Sequence, residues 1–244
     1  MGGFLNISIA NIVIVGSAVS LIGTMIGASL GVIVKKPSNR FIGTIVGFAA
    51  GLMLSIVVFD LIPEAIMTWD FFNTIICAVL GACIMAAIDS RIKIDHINKH
   101  IKVAFMAAVG LMIHNFPEGI IMGCGFRAGG SLGIKMCLII AIHDIPEGLA
   151  VSAPLMSSRI KKAKILLYAF ITAFPTAVGT FFGAFIAGIS NNVLGICLSS
   201  AAGIMLYVVC GEMIPESSKL WEGVASTFGV LIGIILGLII VHVL

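Results

Sequence analysis

Charged side chains are scarce in this chain, and their scarcity limits the kind of protein that it encodes. Only 10% of the 244 residues are Asp, Glu, Lys or Arg, whereas 60% are hydrophobic and the mean hydropathy is +1.20. A chain of this composition cannot hide its apolar surface inside one water-soluble core. The sequence therefore predicts an integral membrane protein with no separate soluble domain. The net charge of +3 gives no reason to expect a nucleic-acid partner.

Two motifs of metal chemistry are also missing. The six cysteines stand singly within apolar segments and form no C-x-x-C pair, so we interpret them as small packing residues. The H-E-x-x-H motif of zinc metalloproteases is absent. Five histidines are fewer than a membrane di-metal oxidase needs. We therefore do not expect an enzyme.

Polar interruptions divide the chain into eight apolar segments, each long enough to cross a bilayer, which takes about 20 residues. The first segment is not expected to be a cleavable signal, because no basic residue precedes it and its apolar run is too long. The predicted fold is all-α, with one transmembrane domain over residues 1–244 and helices at approximately 6–34, 41–67, 71–89, 102–126, 131–157, 163–189, 193–217 and 222–244.

The basic residues predict how these helices are oriented in the cell membrane. If the amino terminus lies outside, twelve of the fourteen Lys and Arg residues fall on the cytoplasmic side, and only Arg127 and Lys135 lie on the other side. An excess of positive charge in cytoplasmic loops is the usual arrangement in membrane proteins. We therefore expect a multi-pass protein whose two termini are both extracytoplasmic.

One segment of the chain is repeated. GFAAGLMLSIVVFDLIPEA at 47–65 aligns without gaps with SSAAGIMLYVVCGEMIPES at 199–217, and nine of the nineteen positions are identical. The copies lie in the second and seventh predicted helices, which cross the membrane in opposite directions. Inverted repeats of this kind are common in secondary transporters. They predict a 3+2+3 arrangement, in which helices 1–3 and 6–8 are related and flank a central pair.

The central pair carries two similar polar motifs, HNFPEG at 114–119 and HDIPEG at 143–148. Spacings of three and four residues place the polar side chains of each motif on one face of its helix. The two helices are consecutive, and each motif lies near the centre of its helix. If these faces meet, they bring six side chains together at mid-membrane depth: His114, Asn115, Glu118, His143, Asp144 and Glu147.

Proline and glycine within the motifs predict the local shape of the two helices. Pro117 and Pro146 donate no backbone hydrogen bond, so we expect a kink at each. Gly119 and Gly148 have no side chain, and we expect them to let the two helices approach each other closely.

Buried acids at this depth need a counter-charge. A carboxylate at the bilayer centre costs on the order of 3 kcal/mol even on the lenient insertion scale. Three acids on two neighbouring helices, without Lys or Arg beside them, favour a bound divalent cation. Imidazole and carboxylate together suit Zn²⁺, Fe²⁺, Mn²⁺, Co²⁺ or Cd²⁺, whereas an all-oxygen site would suit Mg²⁺ or Ca²⁺.

HNFPEG followed by HDIPEG on consecutive helices, in an eight-helix chain with outward termini, resembles the ZIP family of divalent-metal transporters. DLIPEA and EMIPES in the second and seventh helices also resemble segments of that family. The resemblance implies uptake of divalent metal into the cytoplasm, most of all zinc, with the metal as substrate and no other cofactor. It also implies a binuclear site, in which one metal is bound by His114, Glu118, His143 and Glu147 and a second by Asn115 and Asp144 with both glutamates bridging.

In one position the chain departs from the pattern of the family. Many relatives supply a glutamate immediately before a proline of the sixth helix, but here the stretch TAFPTAVGT places Phe174 before Pro175. The second metal position therefore lacks a usual ligand, and we expect it to be weaker, differently coordinated or empty.

Four further acids suggest a path for the cation. Asp60 and Glu64 lie at the outer end of the second predicted helix, and Glu212 and Glu216 lie at the inner end of the seventh. We hypothesise that the first two collect cations at the outer entrance and that the other two receive them on the cytoplasmic side. Ordinary interfacial acids at helix ends are the alternative.

From the resemblance we expect alternating access, in which helices one, four, five and six move relative to the others, and a homodimer in the lipid bilayer. Gly43 with Gly47 and Gly229 with Gly233 are compatible with close helix contacts. The residues alone leave another function open, since the same ligands can line a metal-selective channel or a proton-conducting pore.

Overall fold

The computed structural model describes residues 8–34, 38–90, 99–128, 130–157, 160–221 and 223–243, and no β-strand occurs among them. The helices are α1 (Ile9–Val34), α2 (Asn39–Ile56), α3 (Ile62–Thr68), α4 (Phe71–Asp89), α5 (Lys99–Ala128), α6 (Gly130–Ser157), α7 (Lys162–Ile186), α8 (Asn191–Val208), α9 (Ile214–Leu220) and α10 (Val224–Val243).

Long apolar helices dominate the structure. Within the described ranges, six spans are long and apolar enough to cross a membrane: Ile9–Ile33, Asn39–Thr68, Phe71–Asp89, Lys162–Ile186, Asn191–Leu220 and Val224–Val243. Large apolar side chains such as Phe72 and Ile14 are exposed on the outer surface of these spans, where only lipid can cover them favourably. The prediction of an all-helical integral membrane protein is confirmed.

Two of the spans contain a π-helical turn that joins two α-helices. The turn Val57–Leu61 connects α2 to α3, and the turn Val209–Met213 connects α8 to α9. A proline stands at the start of each following helix. Since proline has no N–H, an upstream carbonyl loses its ordinary partner. In each turn a backbone N–H donates a hydrogen bond to the carbonyl five residues earlier, which is the π-helical pattern.

The two π turns occupy matching positions of the sequence repeat. Asp60 lies in the first and Glu212 in the second, and these two acids are aligned in the nineteen-residue repeat. The repeat therefore specifies a local backbone distortion as well as a sequence, and each copy presents one acid from the distorted turn.

Polar side chains at three helix starts explain why the helices begin where they do. Ser38, Asp70 and Ser190 each accept a hydrogen bond from the backbone N–H three residues later, at 3.2, 3.0 and 3.3 Å. These residues cap α2, α4 and α8 and satisfy N–H groups that have no partner within the helix.

The helices α1, α5, α6 and α7 form one group, and they pack closely at glycines where a side chain would not fit. A Cβ at Gly27 of α1 would collide with the Ile145 carbonyl of α6, and one at Gly119 of α5 would collide with the Thr176 carbonyl of α7. A Cβ at Gly148 of α6 would meet the Thr24 carbonyl of α1. The expectation that Gly119 and Gly148 bring α5 and α6 together was therefore wrong, because each glycine faces a different neighbour.

The other spans form a second group by the same means. Gly51 of α2 lies against the Val230 carbonyl of α10, and Gly203 of α8 lies against the Ala78 carbonyl of α4. Gly43 and Gly47 also face α9 and α10, while Gly229 and Gly233 face α2, so these glycines are used within one chain. The two groups meet where α2 contacts α6 and α5 contacts α8, around a shared apolar core.

Candidate metal centre

Four side chains from α5 and α6 converge in the interior of the first helix group. They are Glu118, His143, Asp144 and Glu147, all buried, and each offers a ligand atom within 4.8 Å of the ligand atoms of the others. Glu118 comes from α5 and the other three from α6, whose spacings of one and four residues place them on adjoining faces. The structure thus brings four of the six predicted ligands together; we call them the cluster.

His143 lies between the two glutamates of the cluster. Its Nε2 atom lies 3.0 Å from Glu118 Oε1 and 2.6 Å from Glu147 Oε1. One nitrogen therefore faces carboxylate oxygens from two different helices. A divalent cation coordinates neutral imidazole and ionised carboxylates, so a metal at this point would be bound by this nitrogen and by the two carboxylates. Three carboxylates and one imidazole are nitrogen and oxygen donors that suit Zn²⁺ and its neighbours in the first transition series.

Asn115 lies one turn before Glu118 on α5 and is fully buried. Its Nδ2 atom donates a hydrogen bond of 2.7 Å to the Thr172 carbonyl of α7, which orients the amide. Its Oδ1 atom has no hydrogen-bond partner among the described residues. Because buried polar atoms are usually paired, this oxygen is a candidate ligand for a second cation.

Three predicted features of the motifs have different outcomes. The side chain of His114 lies outside the described residues. Pro117 and Pro146 lie within α5 and α6, and both helices continue beyond them. The kinks at these two prolines stay a prediction.

Hydroxyl groups of α1 and α7 line the interior beside the cluster. Ser20 Oγ donates to Thr176 Oγ1 at 3.3 Å, and both side chains are fully buried. A Cβ at Gly23 of α1 would lie 2.9 Å from Asp144 Cβ, so α1 packs directly against the cluster. These residues were not predicted from the sequence, although Thr172, Thr176 and Thr180 recur every four residues and form a polar stripe on one face of α7.

Phe174 does not face the cluster. Its side chain is 63% exposed, whereas Thr172 and Thr176 on the same helix are buried. In this structure the aromatic ring lies on the outer surface of α7. A side chain at position 174 could reach the cluster only if α7 were rotated about its own axis.

The four predicted path acids lie apart from the cluster. Asp60 forms an ion pair with Lys135 of α6, with 3.6 Å between Oδ2 and Nζ. Glu64 accepts a hydrogen bond of 3.5 Å from Thr68 in α3. Glu212 is half-buried in its π turn and Glu216 is exposed. Lys135 is a partner that the sequence analysis had counted only as a topology marker.

Comparison with known proteins agrees with this geometry. A family model described as ZIP zinc transporter matches residues 92–241, a range that contains both motifs. The chain is 30% identical over 229 residues to the zinc transporter ZupT of Escherichia coli O1:K1, which covers 86% of this chain and 88% of that protein. It is 32% identical over 236 residues to the zinc transporter ZupT of Enterobacter sp. strain 638, with coverages of 89% and 91%.

Proposed function

The chain belongs to the ZIP zinc transporter family, and from this premise we propose that it carries Zn²⁺ into the cytoplasm by way of the cluster. The observation that supports this most is the convergence of Glu118, His143, Asp144 and Glu147 in a buried site. Three carboxylates in such a place are costly unless a cation offsets their charge. A doubly charged ion bound by imidazole and carboxylate provides that offset and is the substrate.

A second cation is proposed beside the first. Asn115 Oδ1 is a buried acceptor without a hydrogen-bond partner among the described residues, and Asp144 lies within the cluster. The two residues would hold the second ion, with Glu118 and Glu147 bridging. The resemblance adds His114 to the ligands of the first ion. Fe²⁺, Mn²⁺, Co²⁺ and Cd²⁺ accept the same donor atoms and are the alternative substrates.

Transport is proposed to proceed by alternating access. The glycine contacts unite α1, α5, α6 and α7, and we propose that this group moves as a unit relative to the other helices and exposes the cluster to each side in turn. The 3+2+3 inverted repeat, with both termini extracytoplasmic, is the proposed membrane arrangement; the matching π turns of its two copies support it. A homodimer stays a prediction from the resemblance, since the glycines once considered for it pack within the chain.

The experiment that tests this function uses purified protein in liposomes with a zinc-sensitive dye inside. A carrier predicts saturable zinc uptake that speeds up when the liposomes are preloaded with unlabelled zinc. A channel predicts a flux that preloading does not accelerate, and a proton pore predicts acidification without zinc entry. Uptake that is the same in empty liposomes and in liposomes with the protein would refute the proposal.

The number of bound ions is tested by mass spectrometry of the protein after incubation with equal amounts of the competing metals. We expect two zinc ions per chain in the wild type and one in Asn115→Leu, which lacks the amide oxygen. Asp70→Asn is the matched control, because Asp70 caps α4, a helix that packs against α8 and α3, and its change should leave both ions bound.

A further inference from the structure

Lys135 places a positive charge on the same helix as the cluster. It lies in α6 eight residues before His143, a separation of about 12 Å along the helix axis. Its side chain is 15% exposed, so most of it is held inside the protein. An ammonium group in this position needs an acidic partner, and the second helix group supplies one.

Asp60 is that partner. It lies in the π turn Val57–Leu61, and its side chain is 16% exposed. The Asp60 Oδ2 atom is buried without a hydrogen-bond partner in the described part of the chain, and the Lys135 ammonium lies 3.6 Å away. This distance exceeds the range of a direct hydrogen bond, 2.7 to 3.2 Å. At this distance the attraction between the two charges is the main interaction of the pair, and a second cation near Asp60 would compete with the ammonium for the same carboxylate.

The pair and the cluster are separated by an apolar layer. Between Lys135 and His143 on α6 lie the buried residues Met136, Ile139 and Ile140. They belong to the same apolar core as Met53 and other residues of α2. Apolar side chains thus lie along α6 between the residue that pairs with Asp60 and the cluster. A cation that reaches the cluster from the Asp60 side has to separate these two spans.

We propose that Lys135 is a tethered counter-cation that occupies Asp60 until an arriving divalent cation displaces it, and that this exchange releases α6 from the α2–α3 span. The inference rests on the proposed transport function and adds a step before the metal reaches the cluster. A doubly charged ion attracts a carboxylate more strongly than an ammonium does at the same distance, so zinc can win the exchange. No covalent bond changes, because one cation simply replaces another beside the same carboxylate.

The exchange predicts a particular pattern of zinc KM values in liposome uptake. Lys135→Met removes the competitor and should lower the KM about fivefold, since partly exposed ion pairs are worth up to about 1 kcal/mol. Lys135→Arg keeps the charge and should keep a KM close to that of the wild type. In an Asp60→Asn background, Lys135→Met should no longer change the KM, because the carboxylate for which both cations compete is gone.

Arg127→Gln is the matched control for a general effect of surface charge. Arg127 is the other basic residue predicted on the outer side, and its Nε atom donates to the Ala184 carbonyl at 2.9 Å. This variant should keep the wild-type KM, and its elution profile and melting temperature show whether it folds. An equal drop of KM in Arg127→Gln and Lys135→Met would mean that surface potential, and not exchange at Asp60, sets the KM.

Two further results overturn the inference. A wild-type KM in Lys135→Met would do so, and so would an unchanged effect of Lys135→Met in the Asp60→Asn background. Failure of the wild-type protein to take up zinc would remove the transport function and this step together. Zinc uptake by the wild type with no response to Lys135→Met would remove the counter-cation step alone.

Discussion

Two acidic places inside the helical spans differ in what balances their charge. The cluster gathers Glu118, Asp144 and Glu147 around one histidine in a buried site, whereas Asp60 has the ammonium of Lys135 at 3.6 Å. In the proposed function the cluster binds a cation that comes and goes, whereas Asp60 has a cation supplied by the chain itself. This difference matches the two proposals, in which the cluster binds the substrate and Asp60, with a lysine beside it, controls access.

The largest expected effect follows from removing acids of the cluster. Glu118→Gln and Glu147→Gln should each weaken zinc binding by a factor on the order of 100 or more, since even partners of metal ligands matter 10 to 100-fold. Asp60→Asn should weaken it by less than about tenfold. Titration calorimetry on detergent-solubilised protein measures both. Equal losses of zinc affinity in Asp60→Asn and Glu118→Gln would contradict the proposed difference between Asp60 and the cluster.

The stability that the protein gains on binding zinc gives the second test of this comparison. Zinc at 100 times its Kd should stabilise the wild type by about 2.7 kcal/mol through mass action. The same stabilisation should appear in Lys135→Met and disappear in Glu118→Gln when each is measured at the same zinc concentration. Thermal unfolding followed by tryptophan fluorescence reports the shift. Full stabilisation of Glu118→Gln by zinc would show that the ion binds elsewhere.

A third prediction concerns the close packing that positions the cluster. Gly27→Ala places a Cβ against the Ile145 carbonyl of α6, next to Asp144, and should cost about 1 to 3 kcal/mol of stability by overpacking. Gly211→Ala is the matched control, because its Cβ would meet only the Tyr207 ring at 3.7 Å, an ordinary contact. Comparable melting temperatures for the two variants would contradict the role assigned to the α1–α6 contact.

The smallest effect is expected at Glu216. Its side chain is exposed, and exposed charges contribute little to binding or stability. Glu216→Gln should therefore change the zinc uptake rate by less than about twofold, whereas Glu212→Gln, in the half-buried π turn, should change it more. A larger loss of uptake rate in Glu216→Gln than in Glu212→Gln would contradict this ranking and would indicate that Glu216 takes part in transport.

Much of the fold class was accessible from the sequence because lipid imposes simple rules on it. Long apolar runs and few charges identify membrane helices, and the H-x-x-P-E-G order marks the helices that carry the polar residues. A spacing of three residues placed Asn115 and Glu118 on one face of their helix, and Asp144 and Glu147 on one face of the next. These are properties of single helices, so one sequence suffices to predict them.

Contacts between helices were harder to predict. Gly119 and Gly148 clearly marked close approaches, but the sequence does not say which helix approaches, and both pack against partners outside their own pair. The π turns depend on how each span resumes its hydrogen bonds before a proline, and the pair of Asp60 with Lys135 joins residues far apart in the chain. Such features follow from tertiary packing, which a local pattern does not contain.

Zinc binding at the cluster can be observed in an anomalous difference map, collected at the zinc edge from crystals of the protein grown with zinc. We expect a peak about 2.0 to 2.2 Å from His143 Nε2 and from oxygens of Glu118 and Glu147, in place of the contacts that those atoms now make with one another. A protein that transports zinc but shows its anomalous peaks only away from the cluster, with His143 still in contact with both glutamates, would refute the assignment of the cluster as the zinc site.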